Sequence, residues 1–155
     1  SIFYLARKYD EAAAKARIHV SAAPENPFAH LNLANALFEK GQYAEALGSY
    51  QASLKLEETT TALVYLGRAY AVTGNHKEAL GILDKLEITK KYVSPAEAAI
   101  LYAALGERQK AFDWLEKAFD EGDFHLTSLK VNPAFDPLRD DPRFKELLKR
   151  LNLPE

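Results

Sequence analysis

Apolar positions recur along this chain with helical spacing, and one arrangement of them appears three times. The run Gly41-Gln42-Tyr43-Ala44-Glu45-Ala46-Leu47 returns further along as Gly74-Asn75-His76-Lys77-Glu78-Ala79-Leu80. It returns again, after almost the same interval, as Gly106-Glu107-Arg108-Gln109-Lys110-Ala111-Phe112. Tyr50, Leu83 and Leu115 each stand nine positions past the glycine. Upstream lie Leu33-Ala34 with Leu37, Leu66-Gly67 with Tyr70, and Ala98-Ala99 with Tyr102, each pair followed by a large residue one helical turn on. A weaker copy precedes them, with Tyr9, Ala12 and Ala16 in register with Tyr43, Ala46 and Tyr50. A period in the thirties is the mark of a repeat architecture.

Each unit reads as two amphipathic helices of about 13 residues joined at a glycine. Gly41, Gly74 and Gly106 can take the left-handed conformation that ends a helix without a Cβ clash. Ala46, Ala79 and Ala111 then face Ala34, Gly67 and Ala99, so the two helices of a hairpin approach closely. The large residues Leu37, Tyr50, Tyr70, Leu83, Tyr102 and Leu115 are expected between neighbouring hairpins, which makes stacking obligatory. The array spans residues 1–122, as a partial repeat at 1–24 and full repeats at about 27–58, 60–90 and 93–121, and residues 123–155 form capping helices of the same domain. In the cap, Asp136-Pro137 and Asp141-Pro142 each place an acid before a proline, predicting two helix starts. Phe144, Leu147, Leu148 and Leu151 line one face of the last helix, which covers the final repeat. The opposite face carries Arg143, Lys149 and Arg150, but Asp140, Asp141 and Glu146 interrupt it, so packing is favoured over contact with nucleic acid or anionic lipid.

Composition agrees with a folded helical protein. Of 155 residues 25 are Ala, the best helix former, and 48% are hydrophobic. Twenty Lys and Arg against 22 Asp and Glu lack the positive surplus of a nucleic-acid binder. Without cysteine there is no disulfide and no thiolate site. The longest apolar run, Ala98 to Leu105, is too short to span a bilayer, so no membrane insertion is expected. His19, His30, His76 and His125 fall on four elements with no metal-ligand spacing, and His30 and His76 read as core or groove residues. No phosphate loop, nucleophile elbow or dinucleotide fingerprint is present. Neither a cofactor nor an enzymatic role is predicted.

The residues from Leu33 to Leu47 resemble the tetratricopeptide repeat, a family of helix pairs of about 34 residues each. That resemblance implies an all-α, right-handed α-solenoid with C-terminal capping helices, and a concave surface built from the first helix of each pair. Tyr92 to Leu153, including Leu129-Lys130-Val131-Asn132-Pro133-Ala134-Phe135-Asp136-Pro137-Leu138, resembles the closing segment of bacterial members of the group. In these the repeats follow a serine/threonine kinase or a winged-helix regulator, which implies a signalling parent and a cytoplasmic setting. The first unit opens partway through a helix, with Arg7 at its turn, and the chain has no Met, so it reads as a piece of something longer. The expected function is docking of a protein or peptide segment in a groove lined by Phe28, Asn32, Asn35, Phe38, Tyr65, Arg68, Glu97 and Ile100. These aromatics either meet a partner or pack against adjacent helices. Some family members clamp a carboxylate with paired cations and asparagines. Leu31, Thr61 and Tyr65 stand at those positions, so no such clamp is expected. The alternative role is a spacer, or a self-association element docking through Phe3, Tyr4 and Leu5.

Overall fold

The computed structural model describes the backbone of residues 2–153 and the side chains of residues 7–153. Eight α-helices run through it: α1 (Ile2–Ala22), α2 (Pro27–Glu39), α3 (Tyr43–Leu56), α4 (Thr60–Val72), α5 (His76–Thr89), α6 (Pro95–Ala104), α7 (Arg108–Glu121) and α8 (Pro142–Arg150). Two 3-10 segments, Phe124–Ser128 and Pro133–Leu138, precede α8, and the described residues contain no strand. The all-α class and the helix pairing are as expected.

Turn chemistry explains the hairpins. Gly41, Gly74 and Gly106 have φ of 78°, 86° and 78°, the left-handed region that a Cβ makes costly. Around each, the residue after the glycine bonds back across a full turn, as Gln42 N–H does to Leu37 C=O at 2.9 Å, while the glycine amide bonds to the carbonyl three residues earlier. This satisfies the last carbonyls of α2, α4 and α6. Helix starts rely on a different device. Asn26, Ser94 and Asp141 each accept a backbone amide of the following helix, with proline at its first turn.

The chain divides into two compact units, Ser1–Ala69 and Tyr70–Glu155. In the first, α2 packs against both α1 and α3. Ala34, Leu37, Ala46 and Tyr50 are fully enclosed, which bears out the small-residue crossing, and Ser53 Oγ donates to Pro27 C=O at 2.8 Å to tie the end of α3 to the start of α2. In the second, α6 packs on α7 and is met by both 3-10 segments. Ala99, Ala111 and Leu115 are buried there, whereas Leu83 and Tyr102 remain partly open.

Three expectations are corrected. α1 is continuous through Arg7, so no turn lies there; an arginine provides none of glycine's left-handed freedom. Asp136-Pro137 does not start a helix, because Asn132-Pro133 offers the same cap-and-proline signal one turn earlier. Asn132 caps Ala134 N–H, which leaves Pro137 inside the segment. His76 is exposed at the start of α5 and lines an open compartment with Leu80 and Leu83, which removes the core half of the core-or-groove reading and keeps the groove half. Phe3, Tyr4 and Leu5 lie outside the residues whose side chains are described.

In the cap, Phe144, Leu147 and Leu148 are buried as predicted. Two of the basic residues of α8, Arg143 and Arg150, turn back onto α7. Arg143 donates to Gln109 at 2.8 Å and lies 4.1 Å from the Phe112 ring centroid; Arg150 donates to Glu116 at 2.7 Å and lies 4.2 Å from that of Phe119. These contacts, two turns apart on each helix, give the positive charge an intramolecular role.

Candidate functional site

Because α2 is covered by α1 on one side and α3 on the other, only a narrow stripe of it faces outward. Phe28, 56% exposed, and Asn32 occupy that stripe at helical spacing. Asn35, one turn further, is half-buried and accepts the Tyr50 hydroxyl at 2.6 Å. Burial pushes the Tyr50 phenol well above its ordinary pKa, with Arg68 opposing and Glu39 and Tyr65 adding to the shift. The hydroxyl therefore keeps its proton and donates it to Asn35.

Arg68 of α4 is buried, donates to Glu39 of α2 at 2.6 Å and lies 4.6 Å from the Phe38 ring centroid. Phe38 itself is enclosed, with the Tyr43 ring centroid 5.1 Å away. The expected open patch of Phe28, Phe38, Tyr65 and Ile100 is therefore reduced. Phe38 and Ile100 are buried and Tyr65 is half-buried, because the chain covers these aromatics with its own helices. Of the predicted residues in the first unit, the structure joins Arg68 to Phe38 and leaves Phe28 and Asn32 accessible. His30 is half-buried, its Nε2 2.8 Å from the Pro24 carbonyl, consistent with the packing role expected of it.

Glu97 and Ile100 belong to the second unit, and both are buried. Glu97 belongs to a polar cluster that sequence reasoning missed. Asp123 Oδ2 accepts Ser94 Oγ at 2.5 Å and Ala96 N–H at 3.0 Å; Oδ1 accepts the His125 amide at 3.0 Å and lies 2.9 Å from His125 Nδ1. His125 Nε2 is 3.5 Å from Glu97 Oε1. Burial raises the pKa of the Asp123 carboxyl, but the Ser94, Ala96 and His125 donors outweigh it and hold the group below its ordinary range. In a hydrolytic triad the imidazole lies between hydroxyl and carboxylate. Here the carboxylate lies between the other two, an order that anchors two helix starts. Ser94 caps α6 from the adjoining position, but its partner Asp123 lies beyond the end of α7, too far along the chain for a local motif to announce. Among the described residues no group of three His, Cys, Asp or Glu side chains is placed to hold a metal.

The second unit also carries an open apolar trough. One compartment of about 340 Å³ has Leu83, Leu86, Tyr102 and Trp114 among its walls, and another of about 210 Å³ shares Leu83 and Tyr102 with it. The signal for it lay in α7, where Lys110, Trp114, Lys117 and Glu121 follow one another at helical spacing.

Residues 31–93, which run from within α2 to the segment before α6, match the family model of the tetratricopeptide repeat. No curated protein matches the chain. Over residues 31–93 the chain is similar to the tetratricopeptide repeat, the all-helical architecture is consistent with a helical repeat, and such repeats generally mediate protein–protein interaction. No described helix is long and apolar enough to cross a membrane.

Proposed function

We propose that this chain is a docking module that holds a peptide segment of a protein partner and performs no catalysis. The observation that carries the reading is the coincidence of the repeat match over residues 31–93 with hairpins whose left-handed glycines and buried alanines recur in register. Conserving the frame in this way leaves specificity to a few outward side chains. Phe28 and Asn32 are the contact residues on α2, supported from behind by Asn35, Phe38, Tyr65 and Arg68. Glu97 and Ile100 support the second unit from within. Phe28 supplies an apolar anchor and Asn32 an amide for the peptide backbone.

The setting we assign is a bacterial cytoplasmic regulator, resting on the resemblance of Tyr92 to Leu153. A peptide array probed with the wild type and with a Phe28→Ala, Asn32→Ala double variant tests the reading. Spots retained by the wild type are expected to fade with the variant while its circular dichroism and melting temperature stay unchanged. Spots indifferent to the variant would place the contact elsewhere. The alternative, a spacer that self-associates, requires a dimer by light scattering that is lost when Phe3 and Tyr4 are made charged.

A further inference from the structure

The larger compartment of the second unit has the walls of a small-molecule site. They come from α5, α6, α7 and the segment joining α5 to α6, all within Tyr70–Glu155. Leu86, Pro95, Ala98 and Leu101 line it and are themselves buried, so the concavity of about 340 Å³ reaches into the packed interior of the unit instead of lying on a flat face. That volume falls within the range of small-molecule sites. Tyr92, Tyr102 and Trp114 bring three aromatic rings to the same lining. The rings of Tyr102 and Trp114 are stacked, their centroids 6.4 Å apart and their planes 13° from parallel.

Charge and hydrogen bonding decide what fits. The lining carries two lysines, Lys91 and Lys117, and two glutamates, Glu87 and Glu121, so its charge cancels. Lys117 lies 3.8 Å from Glu121 and 4.7 Å from the Trp114 ring centroid, which ties the cation to an acid and a ring of the same wall. An ion of either sign entering here loses hydration and meets no net opposite charge. Polar partners are committed as well, since among the described residues no buried side-chain nitrogen or oxygen lacks a hydrogen bond. The apolar walls therefore have nothing to offer the backbone groups of a peptide, in contrast to the α2 stripe, where Asn32 presents an amide. What they offer is apolar area and ring contact.

We propose that this compartment binds an uncharged, largely apolar small molecule that carries an aromatic ring, held by Tyr102 and Trp114 with Leu86, Ala98 and Leu101 around it. The inference goes beyond peptide docking and shares no contact residue with the α2 stripe.

The test titrates the full chain by calorimetry with three ligands of one shape and different charge: naphthalenemethanol, naphthoic acid and naphthylmethylamine. The indole N–H resonance of Trp114, the single tryptophan, reports where they bind. The uncharged alcohol is expected to bind about tenfold more tightly than either ion and to shift that resonance. Its fully saturated counterpart is expected to bind about threefold more weakly, the loss of ring contact. Ala98→Leu adds bulk inside the compartment and is expected to abolish binding with the melting temperature retained. If that variant fails to fold, Tyr102→Leu decides the matter, because it is expected to erase the preference for the aromatic over the saturated ligand. No binding of the alcohol up to its solubility limit, an ion that binds as tightly as the alcohol, or affinity untouched by both variants overturns the inference. Rejection of all three ligands together with uptake of a leucine-bearing peptide also overturns it, since the occupant is then a partner's side chain. Each of these results leaves the α2 reading standing, because Phe28→Ala, Asn32→Ala interrogates a different helix.

Discussion

Removing the Asp123 carboxylate is the sharpest perturbation of the second unit. Its side chain is 3% exposed and receives four hydrogen-bonding groups, two of them the amides that open α6 and the following 3-10 segment. Loss of one helix cap costs about 1 kcal/mol, so two cost about 2. The buried Ser94 hydroxyl, deprived of its acceptor, adds about 1 kcal/mol more. Asp123→Ala should therefore destabilise the unit by about 3 kcal/mol, with Asp123→Asn intermediate because the amide keeps one acceptor oxygen. Urea unfolding followed by Trp114 emission measures this, and a slope of about 1.5 kcal/mol per molar puts the midpoint about 2 M lower. The effect depends on pH in a defined direction. The carboxyl titrates lower in the folded chain than its ordinary 3.8, so its contribution is complete above that value and is lost as pH falls below it. The gap between wild type and Asp123→Ala should narrow steadily in acid. A midpoint shift under about 0.3 M at neutral pH, or a gap that widens in acid, would refute the assignment of Asp123 as a double cap.

Three further outcomes follow from the packing. Gly41→Ala should lower stability by about 1 kcal/mol because φ is 78°, whereas Gly48→Ala, within α3 and with open space around its Cβ, should raise it by about 0.5–1 kcal/mol; thermal melts of the pair separate turn strain from helix propensity. Tyr50→Phe should cost about 1 kcal/mol in chemical denaturation, because Asn35 Oδ1 loses the hydroxyl donor it accepts. Phe144→Ala should cost about 3–5 kcal/mol by emptying the cap, while Arg150→Ala should cost about 0.5 kcal/mol, since its ion pair with Glu116 is largely solvated; differential scanning calorimetry distinguishes the two.

Much of the fold was legible because its instructions are local. A left-handed glycine, an asparagine, serine or aspartate before proline, and a small residue one turn from a large one each act within a few residues. The backbone hydrogen bonds they govern are made over the same distance. Gly41, Gly74, Gly106 and Asp141-Pro142 therefore announced helix boundaries before any coordinates, and Ala46, Ala79 and Ala111 announced the faces that would be buried. Even this local grammar has degenerate cases. Asn132-Pro133 and Asp136-Pro137 carry the same signal, and only the path of the chain against α6 selects the first.

The candidate site was far less legible. Whether Phe38 lies open or enclosed depends on Arg68, which crosses from α4 to reach Glu39. Whether Ser94 caps alone depends on Asp123, and whether Lys110 and Lys117 border a trough depends on how far α5 stands from α7. The sequence by itself thus determined where helices begin, end and touch at small residues, since one helical turn of chain carries that information. Tertiary structure alone decided which side chains stay accessible. Exposure is a property of facing surfaces, and those surfaces come from residues a whole repeat apart that have no means of signalling to each other until they pack.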